Sequence, residues 1–153
     1  MIASFRFLIL SIILFNPLAA FEDPIVTRKV EGSFEEVSNS VREAIIGKGI
    51  NIAHVLSASQ MLTRTESAFG YKSGVYVNAE IYEFCSARIS HKLSRAHPDN
   101  IVLCPFTISV YTVRDEPGMD RLSYRLPAGR PGTEEIIEEV VALIESILED
   151  APW

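Results

Sequence analysis

Cys85, His91, His97 and Cys104 fall within twenty residues of one another, and they include both cysteines and two of the three histidines of the chain. Thiolate and imidazole donors suit zinc, copper or haem iron, and Met61 adds a soft thioether. The spacing fits no ligand motif, since Cys-x-x-Cys, His-x-x-x-His and Cys-x-x-Cys-His are all absent. Cys85 and His91, with Met61 as a further candidate, are therefore the residues through which a redox accessory protein would hold haem or copper. As a thiolate, Cys85 would alternatively serve as the nucleophile of an enzyme. Plainer readings stand beside these. Helical spacing sets His91 next to Arg88 and Arg95 and away from Ile89, on a solvent-facing side, and His97 precedes Pro98 as a turn residue. His54 aligns with Ile52 and Leu56 as a hydrogen-bonded core histidine.

A second group of residues suits an organic ligand. Tyr71, Tyr76 and Tyr82, with Phe69, would line an apolar pocket, and Arg125 would anchor an anion there. Cross-strand packing accounts for the tyrosines equally well. Glu80 and Glu83 are three apart on a strand, hence on opposite faces, and do not make a carboxylate pair. No Gly-x-Ser-x-Gly elbow, Gly-x-Gly-x-x-Gly turn or phosphate loop occurs.

These side chains must be positioned by strands that come mostly in pairs and helices that do not alternate regularly with them. Ile25 to Val30 reads as a strand, and Ser33 with Glu36 makes a capping box for a helix carrying Phe34, Val37, Val41, Ala44 and Ile45 on one stripe. Ile50 to Leu56 is a second strand, and the pattern weakens from Ser57 to Gly74. Val75 to Phe84 alternates as a strand, and Ser86 to Ala96 is a helix with Ile89 and Leu93 inward. Ile101 to Val113 reads as one long strand interrupted by Pro105, followed by a strand over Arg121 to Leu126. Thr133 opens a last helix whose apolar face includes Ile137, Val140, Val141, Ile144, Ile147 and Leu148. The order β-α-β-β-α-β-β-α predicts an α+β fold of two layers, with a mixed, largely antiparallel sheet and helices packed on one face.

Residues 1–20 read as a secretory signal. Arg6 is followed by the apolar run Phe7 to Phe15, the breaker Asn16-Pro17 and the small pair Ala19-Ala20. That run is about half of the ~20 residues needed to span a bilayer, so cleavage after Ala20 with no stable membrane insertion is expected. A single domain over residues 21–153 would then reside in the periplasm or be secreted. With 14 basic and 20 acidic side chains the net charge is −6, and no basic stripe suits nucleic acid.

The chain resembles the domain-of-unknown-function 302 family. The likeness rests on Ser33-Phe34-Glu35-Glu36-Val37, Gly49, Glu83-Phe84-Cys85-Ser86, Pro105 followed by Ile108, Val110 and Tyr111, and Tyr124-Arg125. It covers most of residues 26 to 148, through short motifs. The resemblance implies a two-layer α+β fold, often homodimeric, with no established biochemical role. Many members carry a cysteine just after the proline where this chain has Phe106, and a proline where it has Ala87.

If the helix after Cys85 runs back ~16 Å and a parallel strand then climbs ~13 Å to Cys104, the two sulfurs meet. An antiparallel course, or a bulge at Pro105, would separate them. A structural disulfide closing a loop of about 20 residues, two buried thiols, and a reactive or metal-binding pair all remain open. The function that the sequence supports best is an exported, non-catalytic small-ligand-binding or interaction module. The alternative is the periplasmic haem- or copper-binding accessory that uses the Cys85/His91 region.

Overall fold

Four antiparallel pairings build one five-stranded sheet in the order β1-β5-β4-β3-β2, with β1 at Ile25–Glu31, β2 at Ile52–Ser57, β3 at Tyr76–Phe84, β4 at Phe106–Val113 and β5 at Met119–Arg125. The computed structural model describes residues 24–152, so the signal expected over residues 1–20 lies outside the described residues. The α+β class holds, while the mixed sheet expected from sequence is antiparallel throughout its described pairings.

The first helix, α1 at Phe34–Gly47, starts where the sequence requires. Ser33 Oγ accepts the Glu36 N–H, and the Glu36 carboxylate accepts the Ser33 N–H. Its stripe of Val37, Val41, Ala44 and Ile45 is buried. After β2 the chain enters a short helix, α2 at Ala58–Thr65, and a 3₁₀ turn at Glu66–Phe69, where sequence pattern suggests only an irregular loop. The remaining helices are α3 at Ala87–Ala96 and α4 at Glu134–Asp150.

The stretch from Ile101 is not strand, as its apolar composition suggests, but belongs to a 3₁₀ turn at Pro98–Leu103. Buried Asn100 fixes that turn: its Nδ2 donates to the Leu93 carbonyl and its Oδ1 accepts the Arg130 N–H. α3 leads ~15 Å away from Phe84 at 1.5 Å per residue, and the six-residue turn packed along it brings the chain ~12 Å back at 2 Å per residue. β4 therefore begins beside the end of β3 and runs antiparallel to it, with Phe84 opposite Phe106.

That register places Cys85 and Cys104 just beyond the last paired residues, where they form a disulfide with Cα atoms 5.8 Å apart. The antiparallel course that was expected to keep the sulfurs apart is what joins them.

One sheet face and three helices enclose the core. Leu122 and Tyr124 of β5, Ile108 and Val110 of β4 and Tyr82 and Phe84 of β3 pack against Ile45 of α1, Ile89 and Leu93 of α3, and Ile144 and Ile147 of α4. Glu145 of α4 accepts hydrogen bonds from Tyr124 and Arg28, which holds α4 to β5 and β1. Glu139 pairs with Lys92 at 2.5 Å and Arg88 at 3.6 Å, linking α4 to α3. The fourth helix, α2, lies on the opposite side of the sheet, so the expectation of helices on a single face holds for three of four.

Several surface carboxylates are held below their usual range by these contacts. Ser33 lowers Glu36, Arg121 and then Lys29 lower Glu116, and Lys92 lowers Glu139. A carboxylate with a depressed folded value contributes stability above its unfolded value, and loses it as pH falls through the folded value. All three are solvent-exposed pairings of small individual worth. The expected outcome is a melting temperature that declines on acidification through the carboxylate range, with 1 M salt weakening that dependence. Scanning calorimetry as a function of pH and salt measures it.

Candidate functional site

Alternation along the strands sorts two different surfaces. Phe106, Ile108 and Val110 point into the core, while Thr107, Ser109 and Tyr111 point the other way. On this second face Ser109 lies opposite Ser123 and Ile81, and Ala79 lies opposite Tyr111. Hydroxyls tie three strands together there: Thr27 Oγ1 is 2.8 Å from Ser123 Oγ, and Tyr111 Oη is 2.9 Å from the same atom. Tyr76 meets Tyr111 edge to face with ring centres 5.5 Å apart.

α2 forms a wall over this floor. Ala58, Met61 and Leu62 face Ile81, Ser109 and Tyr111 across a groove of about 450 Å³, and Arg125 and Ile25 border its β1–β5 side. A second hollow of about 410 Å³ shares Met61, Leu62 and Tyr76 with the first and is enclosed by Phe69, Tyr71 and Val75. Phe69 and Tyr71 are 72% and 68% exposed, an unusual state for aromatic side chains that have not found a partner. Each hollow falls in the range of about 300–1,000 Å³ typical of small-molecule sites.

Charge is unevenly distributed around the groove. Glu116 accepts from Arg121 at 2.8 Å and from Lys29 at 3.0 Å, so two basic side chains at that end of the sheet share one carboxylate. Arg125 has neither an ion pair nor a hydrogen-bonded side-chain partner among the described residues. The site therefore combines an apolar wall, a hydroxyl-lined floor and one unpaired guanidinium. Among the described residues that line it, no nucleophile is hydrogen-bonded to a base.

The family profile described as domain of unknown function DUF302 matches residues 26–151. The chain belongs to the DUF302 family. A crystal structure of an uncharacterized conserved DUF302 protein from Bacillus stearothermophilus has the same fold, with a TM-score of 0.70 over 84% of this chain and 98% of that one at 16% identity. No curated protein matches the sequence.

Within this DUF302 domain the residues singled out by sequence separate. Met61, Phe69, Tyr71, Tyr76 and Arg125 all border the two hollows. Tyr82 does not. It is buried on the helix side of the sheet, where its hydroxyl donates to the Ser38 carbonyl or the Glu80 carboxylate and lies 2.7 Å from Ser38 Oγ. Burial pushes its pKa up, and Arg42 stacks over its ring at 5.3 Å. Tyr82 thus braces α1 against β3 and offers nothing to a ligand in the groove.

Cys85 is bonded to Cys104 and supplies no thiolate in this state. His91 is exposed on α3, in the helix layer, whereas Met61 is on α2 across the sheet, so Cys85, His91 and Met61 do not converge on one ligand set. His54 is also exposed: a register shift between Ile52 and His54 turns it away from the core that Ile52 faces.

Sequence reasoning missed the floor residues Thr107, Ser109 and Ser123. The available signal was the alternation of hydroxyl with aliphatic residues in Thr107-Ile108-Ser109-Val110-Tyr111, which marks a second, semi-polar face.

Proposed function

We propose that this chain acts outside the cytosol as a binding module for a small apolar or amphipathic molecule, held between α2 and the sheet face that it partly covers. The observation that carries the reading is the groove itself. A sheet face lined by small hydroxyl residues is partly roofed by a two-turn helix whose Met61 and Leu62 are more than one-third exposed. A helix needed only for the core would bury its apolar side chains. Met61 adds an adaptable contact. The leader-like pattern of residues 1–20 and the disulfide both support an oxidising compartment.

The test is titration of the protein with the environment-sensitive dye N-phenyl-1-naphthylamine, followed by fluorescence. Saturable enhancement is expected, with Ser109→Trp weakening it by about tenfold or more because the indole fills the groove floor. Ser109 borders the groove and faces away from the main core, so the far-ultraviolet circular dichroism of the variant should stay unchanged. Undiminished dye binding by a folded Ser109→Trp protein would reject the site.

A further inference from the structure

We infer that the ligand of this groove is a monocarboxylate with an unbranched apolar tail, its carboxylate at Arg125 and its tail running under α2 toward Phe69 and Tyr71. This inference rests on the binding-module reading and adds polarity, orientation and shape to it.

Charge sets the head group. Of the basic residues facing this side of the sheet from β1 and β5, Lys29 and Arg121 share Glu116, while Arg125 is left without a carboxylate. The carboxylate of Glu80, beside the groove, is turned to the other face and accepts from Ser38 and Tyr82. Arg125 is thus the one basic side chain in the lining of the groove, and among the described residues no ion pair engages it. A guanidinium presents a planar fork that matches a carboxylate in two parallel hydrogen bonds.

Neighbouring hydroxyls reinforce that end. Ser109 pairs with Ser123, and continuing the antiparallel register by two residues sets Thr107 beside Arg125. Thr107 and Ser109 both border the groove, and neither hydroxyl is engaged elsewhere among the described residues. Each can donate to an anion.

Shape sets the tail. From Ile81 to Tyr76 the floor follows β3 for six residues, ~17 Å over five steps of ~3.4 Å, which accommodates an extended chain of roughly ten carbons. The two hollows adjoin at Met61, Leu62 and Tyr76, which line both, and the farther one is aromatic. A linear tail fits that course, whereas a compact ring system would occupy only one hollow.

Isothermal titration of the protein with decanoate, decanol and decyltrimethylammonium, each below its micellar concentration, separates the possibilities. Decanoate is expected to bind about tenfold tighter than either of the others. Arg125→Gln should remove that advantage and leave decanol unchanged, and hexanoate should bind more weakly than decanoate. Equal affinity for decanoate and decanol, or an Arg125→Gln protein with undiminished decanoate preference, would overturn the carboxylate assignment while leaving the groove reading intact. Failure of all three ligands alongside normal binding of N-phenyl-1-naphthylamine would also overturn it. If the dye fails as well, the binding-module reading falls with it.

Discussion

Reducing the Cys85–Cys104 disulfide is expected to lower folding stability by about 3 kcal/mol. The two residues are 19 apart in sequence, and the bond removes loop-closure freedom from the unfolded chain. In the folded chain it imposes little that the sheet has not already fixed. Phe84 and Phe106 are register partners, each cysteine lies within two residues of its own phenylalanine, and the Cα separation of 5.8 Å is usual for a disulfide. The native fold should therefore persist without the bond, at reduced stability. For a domain of this size the loss corresponds to roughly 10 °C in melting temperature. Urea unfolding with and without dithiothreitol, and of a Cys85→Ser/Cys104→Ser double variant, measures it. Coincident transitions in the oxidised and reduced protein would show that the bond contributes nothing.

Replacing Phe84 by alanine is expected to cost about 3–5 kcal/mol. Its side chain is fully buried in the central layer and meets Phe106 in an edge-to-face contact, ring centres 6.1 Å apart. The surrounding Ile89 and Leu93 of α3 are anchored by the Ser86 cap and the neighbouring disulfide, so the vacated space cannot readily close. Because Phe84 adjoins Cys85, the substitution and the loss of the disulfide should be coupled. Their combined effect would differ from the sum of the single effects, as expected for neighbours. Equilibrium urea titration of the four proteins in the cycle provides both numbers. A loss under about 1 kcal/mol for Phe84→Ala would mean that the β3–β4–α3 core is not packed as described.

Much of the architecture was legible because local and periodic signals agreed. The Ser33–Glu36 capping box, the alternation in Tyr76–Phe84 and the wide apolar face of Glu134–Asp150 each mark an element without tertiary context. Three features were hidden for physical reasons. Ile101 and Val102 have strand composition but remain exposed, Val102 by 80%, because Asn100 fastens the chain into a 3₁₀ turn through bonds to distant backbone. Strand direction is a property of the whole connection, so the parallel course assumed between Cys85 and Cys104 could not be distinguished from the antiparallel one. α2 has only Ala58 buried, and its remaining apolar residues face a groove, which removes the core stripe that reveals helices.

The site was legible in the same partial way. Arg125 and the aromatic group of Phe69, Tyr71 and Tyr76 stand out as residue types with a use, and they fall around the groove. Tyr82 shares their chemistry but sits on the opposite face: its even spacing from Tyr76 would place both on one side of a regular strand, and the register shift between Tyr76 and Asn78 separates them. Cys85 and His91 attract attention through nearness in sequence, yet the disulfide and the outward side of α3 direct them elsewhere. The floor hydroxyls pass unnoticed because serine and threonine on a strand resemble any solvent-facing row.

Amide chemical-shift mapping of the ¹⁵N-labelled protein during titration with N-phenyl-1-naphthylamine tests the location of the site most directly. Shifts should gather on α2, the Tyr76–Ile81 segment of β3, Thr107 to Tyr111 and Ser123 to Arg125, with α3 and the outer face of α4 unaffected. Shifts centred on α3 around His91, or spread evenly over the molecule, would contradict a ligand seated between α2 and the sheet.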